Sequence, residues 1–165
     1  MKEAVAAKPD DVISRVGLAQ MMATAGDLVG AVPLLEAELA KNPAARGYGA
    51  IPAALVLGWV YQQLDQTAAA NRWLDTLEAE RKAGAWSADP GRELAYLAAC
   101  GRREEALQLA ARTPHLLLYG APDPRDPMLE ALVGEPRYEA LQQRSIDKIN
   151  VERARLGWAP LQRTK

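Results

Sequence analysis

The sequence predicts an all-α fold of stacked helical hairpins closed by C-terminal helices. Three observations lead there. The chain is rich in alanine, lacks Phe and is only 5% aromatic, which suits closely packed helices better than a sheet. A helix–turn–helix segment recurs, centred on Gly26, Asp65 and Gly101, each time with an alanine five positions on. Capping residues and helix stops bracket the apolar periods. At 165 residues the chain is long enough to bury one core.

The first helix spans about Asp11 to Ala25. Asp10 or Asp11 supplies a side-chain oxygen to its free first amides, and Gly26 ends it by taking the left-handed conformation cheaply. Asp27 caps the partner helix, in which Pro33 should kink the axis or displace a hydrogen bond. In the second hairpin Pro52 sits in a first helical turn, where its missing N–H does no harm. Thr67 caps the partner helix there and Gly84 stops it. In the third, Asp89 caps and Pro90 takes the first helical position. Glu104 and Glu105 lie in the first turn of the last partner helix and Arg112 in its last, each favourable to the dipole. "TPHLLLYGAPDPRDP", with Pro114, Pro122, Pro124 and Pro127, reads as a surface loop. Asp126 then caps a short helix that begins at Pro127 and stops at Gly134. A last helix runs from about Pro136 to Leu156, with Tyr138, Leu141, Ile149 and Leu156 on one stripe and Gly157 as stop.

Aligned on the hairpin turns, the recurrence covers "LAQMMATAGDLVGAVPLLEAELAKNP", "LVLGWVYQQLDQTAAANRWLDTLEAE" and "LAYLAACGRREEALQLAAR". Gly26, Asp65 and Gly101 fall at one place, Ala31, Ala70 and Ala106 five residues later, and Leu35, Leu74 and Ala110 one turn beyond. These segments resemble the tetratricopeptide repeat family. Pro9 and Pro43 resemble the proline that closes each unit. Leu18-Ala19 and Leu57-Gly58 resemble the large-small pair at the helix contact, and Met22 and Tyr61 match the bulky site after it. The alanines match the small residue where two helices cross, which lets their backbones approach. The resemblance implies a superhelical α-solenoid. The units at 26, 65 and 101 are unevenly spaced, so "ARGYG" reads as an inserted loop, and the third unit lacks a good large-small pair.

In "EAVAAKPDD", Ala4 and Val5 stand before Pro9 as Leu39 stands before Pro43. This resembles the end of a partner helix whose unit has lost its beginning, so the chain is expected to be cut from a longer protein with a domain upstream. Repeats of the tetratricopeptide kind are expected over residues 1–112. The loop and C-terminal capping helices follow over 113–165 in the same domain. "DPMLEALVGEPRYEALQQR" resembles the closing segment of repeat tails in bacterial multidomain regulators, which implies a regulatory role. The final helix is expected to cap the solenoid, since an end repeat must hide its apolar face.

Little in the sequence points to chemistry. Net charge is −1, which gives no overall drive toward nucleic acid, and the basic excess in the last thirty residues has no interleaved aromatics for stacking. Cys100 is the single cysteine, so no internal disulfide can form. With His115 as the single histidine, a zinc site lacks ligands, and no metal or cofactor is expected. A Cys100–His115 dyad is outweighed by the reading of Cys100 as a small buried thiol. "PDPRDP" reads as turn chemistry rather than a cation loop. No P-loop or dinucleotide fingerprint occurs, and an enzyme is not expected. No apolar run spans a bilayer and no signal peptide is evident, so a cytoplasmic home without a membrane partner is expected.

The candidate binding residues are Gln20, Trp59, Gln62 and Gln63. Trp59 follows the Leu57-Gly58 pair, about 100° round the helix from Gly58. In the resembling family that side faces a concave groove. Gln20 takes the equivalent place one unit earlier, and Gln62 and Gln63 share the face of Trp59. An indole beside three amides suits a neutral peptide or partner segment. The alternative is an indole packed beneath C-terminal helices that fill the groove. The amides favour an open groove and a partly exposed indole, since buried amides need partners. The expected function is a protein–protein interaction module with a protein or peptide partner. The second reading is a sensor that binds a peptide or small molecule in the groove.

Overall fold

A computed structural model describes residues 11–46, 51–85, 90–113 and 127–161. Its helices are α1 (Val12–Thr24), α2 (Leu28–Lys41), α3 (Ala53–Gln63), α4 (Thr67–Lys82), α5 (Pro90–Ala99), α6 (Arg103–Arg112) and α7 (Pro136–Arg155), with a 3-10 helix, η1 (Pro127–Leu132), before α7. Among the described residues no strand forms. Among those residues one antiparallel bridge joins Arg46 to Pro52, and residues 47–50, which hold most of the expected "ARGYG" insertion, lie outside the described residues. Asp10, Asp89, His115 and Asp126, the expected mid-repeat start and the expected proline-rich loop over 114–126 with most of "PDPRDP" fall outside the described residues.

One turn geometry closes all three hairpins. Gly26, Asp65 and Gly101 have φ of 89°, 57° and 68°. At each turn the following amide reaches back to the helix it leaves: Asp27 to the Met22 carbonyl, Gln66 to Tyr61 and Arg102 to Leu97, at 2.8–2.9 Å. The turn residue itself donates to Ala23, Gln62 and Ala98 respectively. This pair of bonds satisfies carbonyls that a helix end leaves free. Asp65 can replace glycine because a short polar side chain tolerates the left-handed region. The partner helix then starts at once, and four residues after the first of these amides Ala31, Ala70 and Ala106 donate back to Asp27, Gln66 and Arg102.

The caps follow the sequence with two corrections, the first being that Pro52, expected in the first turn of α3, is its extended N-cap residue at ψ 136°. Asp11 accepts from the Ser14 amide at 3.1 Å and Asp27 from the Gly30 amide at 3.0 Å. Thr67, expected to cap α4, is instead its first helical residue. Gln66 holds the cap position and makes no side-chain capping bond. The left-handed Asp65 sets this entry, so α4 begins one residue earlier relative to Thr67 than a hydroxyl cap would allow. Pro33 lies within α2 on its exposed face and the helix runs through it. The helix after Pro127 is 3-10 rather than α, stopped as expected by Gly134 at φ 77°.

Helices α1 and α2, α3 and α4, and α5 and α6 pair as antiparallel neighbours, and α3 also meets α1, α2 and α5. Its sequence, AALVLGWVYQQ, is apolar on every side, and every residue from Ile51 to Tyr61 is buried. A helix of that kind belongs at the centre of a core. The crossings are built on small side chains: Ala31, Ala70 and Ala106 are fully buried. A Cβ added to Gly58 would come within 2.9 Å of Leu74 Cδ2, so glycine is what brings α3 close to α4. The 3-10 helix packs on α5 and α6, and α7 on α6. Only the first part of α7 docks. Tyr138 is buried and Leu141 and Ile149 are half-buried, but Leu156, expected on the same stripe, is 62% exposed. The reason is that α7 outruns the ten-residue α6 on which it lies.

Candidate interaction surface

The four candidate residues lie on two touching helices, Gln20 on α1 and the others on α3, and they differ in exposure. Trp59 is buried, with 7% of its surface exposed. This corrects the expectation of a partly exposed indole. The cause is the central place of α3, which is covered from several sides at once. Gln62 is half-buried and Gln63 exposed. Gln20 is half-buried, and its Oε1 is enclosed without a hydrogen-bond partner among the described residues. Of the four, Gln63 is the one that is exposed.

Ionic contacts that periodicity alone does not reveal hold the hairpins together. Glu38 on α2 is buried and takes a two-pronged guanidinium contact from Arg15 on α1, with Arg15 Nη2 donating to Oε1 at 2.8 Å and Nε to Oε2. Such a bidentate pair suits a desolvated site. Tyr61 donates to Glu36 Oε1 at 2.6 Å. Burial first, then the hydrogen bond and charge of Glu36, push its hydroxyl up to about 12.

A larger cluster joins the second hairpin to the third. Glu78 on α4 accepts from Arg81 at 2.8 and 2.9 Å and from Arg102, at the α5–α6 turn, at 3.0 Å. Arg81 also reaches Glu93 on α5 at 3.2 Å. The Arg81 hydrogen bonds, more than the opposing burial, hold the Glu78 carboxyl down at about 2. Tyr96 beside it is buried and its hydroxyl donates to the Leu74 carbonyl at 3.5 Å. Burial raises the Cys100 thiol. A raised thiol is a weak nucleophile, and the ion pairs of the cluster join α4 to α5 and to the α5–α6 turn.

The surface that the sequence did not reveal lies between α6 and α7. Two adjoining depressions of about 300 and 340 Å3 share Ala111, Leu141 and Arg144. Leu107, Gln108, Arg137 and Ala140 complete one end, and Ser145, Asp147 and Lys148 the other. The trough exists because Ala111 and Ala140 stand where larger side chains would close the gap between neighbouring helices. Arg137 is engaged by Glu104 and Glu135, and Asp147 accepts from Gln143 at 2.8 Å. The available signal was the spacing of Leu107 with Ala111, and of Ala140 with Arg144 and Lys148, along two helix faces. It is visible only once the two helices are known to be neighbours.

Among the described residues no three His, Cys, Asp or Glu side chains gather to hold a metal ion, and no helix is long and apolar enough to cross a membrane. Comparison with family models, curated proteins and solved structures finds no match.

Proposed function

We propose that this chain is a protein–protein interaction module of tetratricopeptide type, the regulatory tail of a larger bacterial signalling or transcription protein. The observation that carries this reading is the repetition of one hairpin turn at residues 26, 65 and 101, with α1, α3 and α5 meeting in series. In helical-repeat proteins each unit cannot bury its apolar face alone and is stabilised by its neighbours. The product is a rigid array of helices whose outer side chains are ordered before a partner arrives, which lowers the entropic cost of binding. The tail assignment rests on the resemblance of "DPMLEALVGEPRYEALQQR" to closing segments of such regulators. Gln63 and the half-buried Gln62 are positioned to touch a partner, whereas Trp59 acts through the core.

The test is capture with the full-length protein from its native lysate, followed by titration of the purified partner against this chain. A saturable one-to-one complex is the expected result. Substrate turnover by the isolated chain, or binding that never saturates, would overturn the reading.

A further inference from the structure

We infer that the trough between α6 and α7 is a docking site for an acidic, amphipathic peptide segment of a partner protein. The inference rests on the interaction-module reading and names the surface and the chemistry that the partner must have. The floor is aliphatic: Leu107 is buried, Leu141 half-buried, and Ala111 and Ala140 are small and exposed. The rim is cationic. Arg144 borders both depressions and Lys148 the second, one helical turn apart and so about 6 Å along the axis. Neither forms an ion pair among the described residues, whereas Arg137, Arg153 and Arg155 on the same helix are each engaged by a carboxylate or a carbonyl. Asp147 on the same rim accepts from the neutral Gln143 amide and keeps its charge, so Arg144 and Lys148 against this one carboxylate leave the rim net positive.

That pairing of floor and rim selects a ligand class. Leucine-sized side chains would fill the space over Ala111 and Ala140, and carboxylates spaced by one turn would meet Arg144 and Lys148. An amphipathic helix laid along a groove presents both at once. Nucleic acid fits less well, because the floor offers no aromatic ring for a base to stack on. A bilayer surface is flat, while this site is a trough with its cations on one wall.

The experiment is selection of short peptides from a displayed random library against the whole chain. Affinities of the winners are then measured on wild type, Arg144→Glu, Lys148→Glu and Ala111→Trp, with melting curves for each. The expected winners combine Asp or Glu with Leu or Ile. Either charge reversal should weaken them about tenfold or more and Ala111→Trp should abolish binding, with the charge variants melting as wild type. Winners that bind all variants equally would overturn the docking site and leave the interaction-module reading standing. A library that yields no binder would count against both. Two further outcomes overturn the inference: self-association that Ala111→Trp abolishes, which assigns the trough to a second copy, and sedimentation with phosphatidylserine vesicles lost in Arg144→Glu, which assigns it to lipid.

Discussion

Glu38 and Trp59 carry opposite lessons about single residues. Glu38 shares the face of α2 with Ala31, Leu35 and Leu39, and it is buried there and held by Arg15. Removing one partner of such a pair leaves a charge in a poorly solvated place. Glu38→Leu should therefore cost about 3–5 kcal/mol, and Arg15→Met with Glu38→Leu should recover much of it. Urea denaturation of the three proteins checks this. Trp59 was legible as an amphipathic residue on one helix face, but its burial depends on helices distant in sequence. Trp59→Ala should cost about 3–5 kcal/mol, as core truncations of aromatic residues do. An unchanged midpoint would return the indole to the surface. Glu78 gives the pH dependence. Its folded-state pKa lies at about 2, below the ordinary 4.5, so its contribution is present above the ordinary value and is lost as pH falls through the folded one. Stability should decline across about pH 4.5 to 2, and Glu78→Gln should flatten that part of a plot of urea midpoint against pH.

Individual helices and turns were the most readable features, for physical reasons. Caps, left-handed stops and apolar periods are written in residues next to one another. Asp11, Gly26, Asp27, Gly84 and Gly134 all act where the sequence places them. Asp65 was aligned with two glycines on spacing alone, and its positive φ bears out the alignment. Thr67 was misread because a hydroxyl before an alanine run suggests a cap, and the fixed geometry of the preceding turn outweighed it. The α6–α7 trough was not legible, because the alanines that open it belong to helices far apart in the sequence, one ending at Arg112 and the other beginning at Pro136. At this scale the sharpest test is the α3–α4 crossing. Ala70 is fully buried there, and Ala70→Leu should overpack the contact and cost about 1–3 kcal/mol. A melting curve unchanged by that substitution would mean that the repeat alignment is wrong.

For the whole molecule, α3 is what makes three hairpins into one body. It touches the first hairpin through α1 and α2, its own partner α4, and the third hairpin through α5. The ionic cluster on Glu78 ties the second hairpin to the third from outside the core. By contrast, the end of α7 and the residues after it lie at the surface, with Val151, Leu156 and Trp158 more than half exposed. Arg153 rests over the Trp158 ring, and Asn150 exchanges hydrogen bonds with the Leu161 backbone at 2.7 and 3.0 Å. Stability should be graded accordingly, since buried and densely contacted segments open only with the whole domain. Native-state hydrogen exchange across a denaturant series measures this directly. The amides of α3 should exchange only through global unfolding, while those of α7 beyond Ser145 should exchange through small local openings. Exchange from α3 ahead of α1 and α5 would contradict a stack organised around that helix.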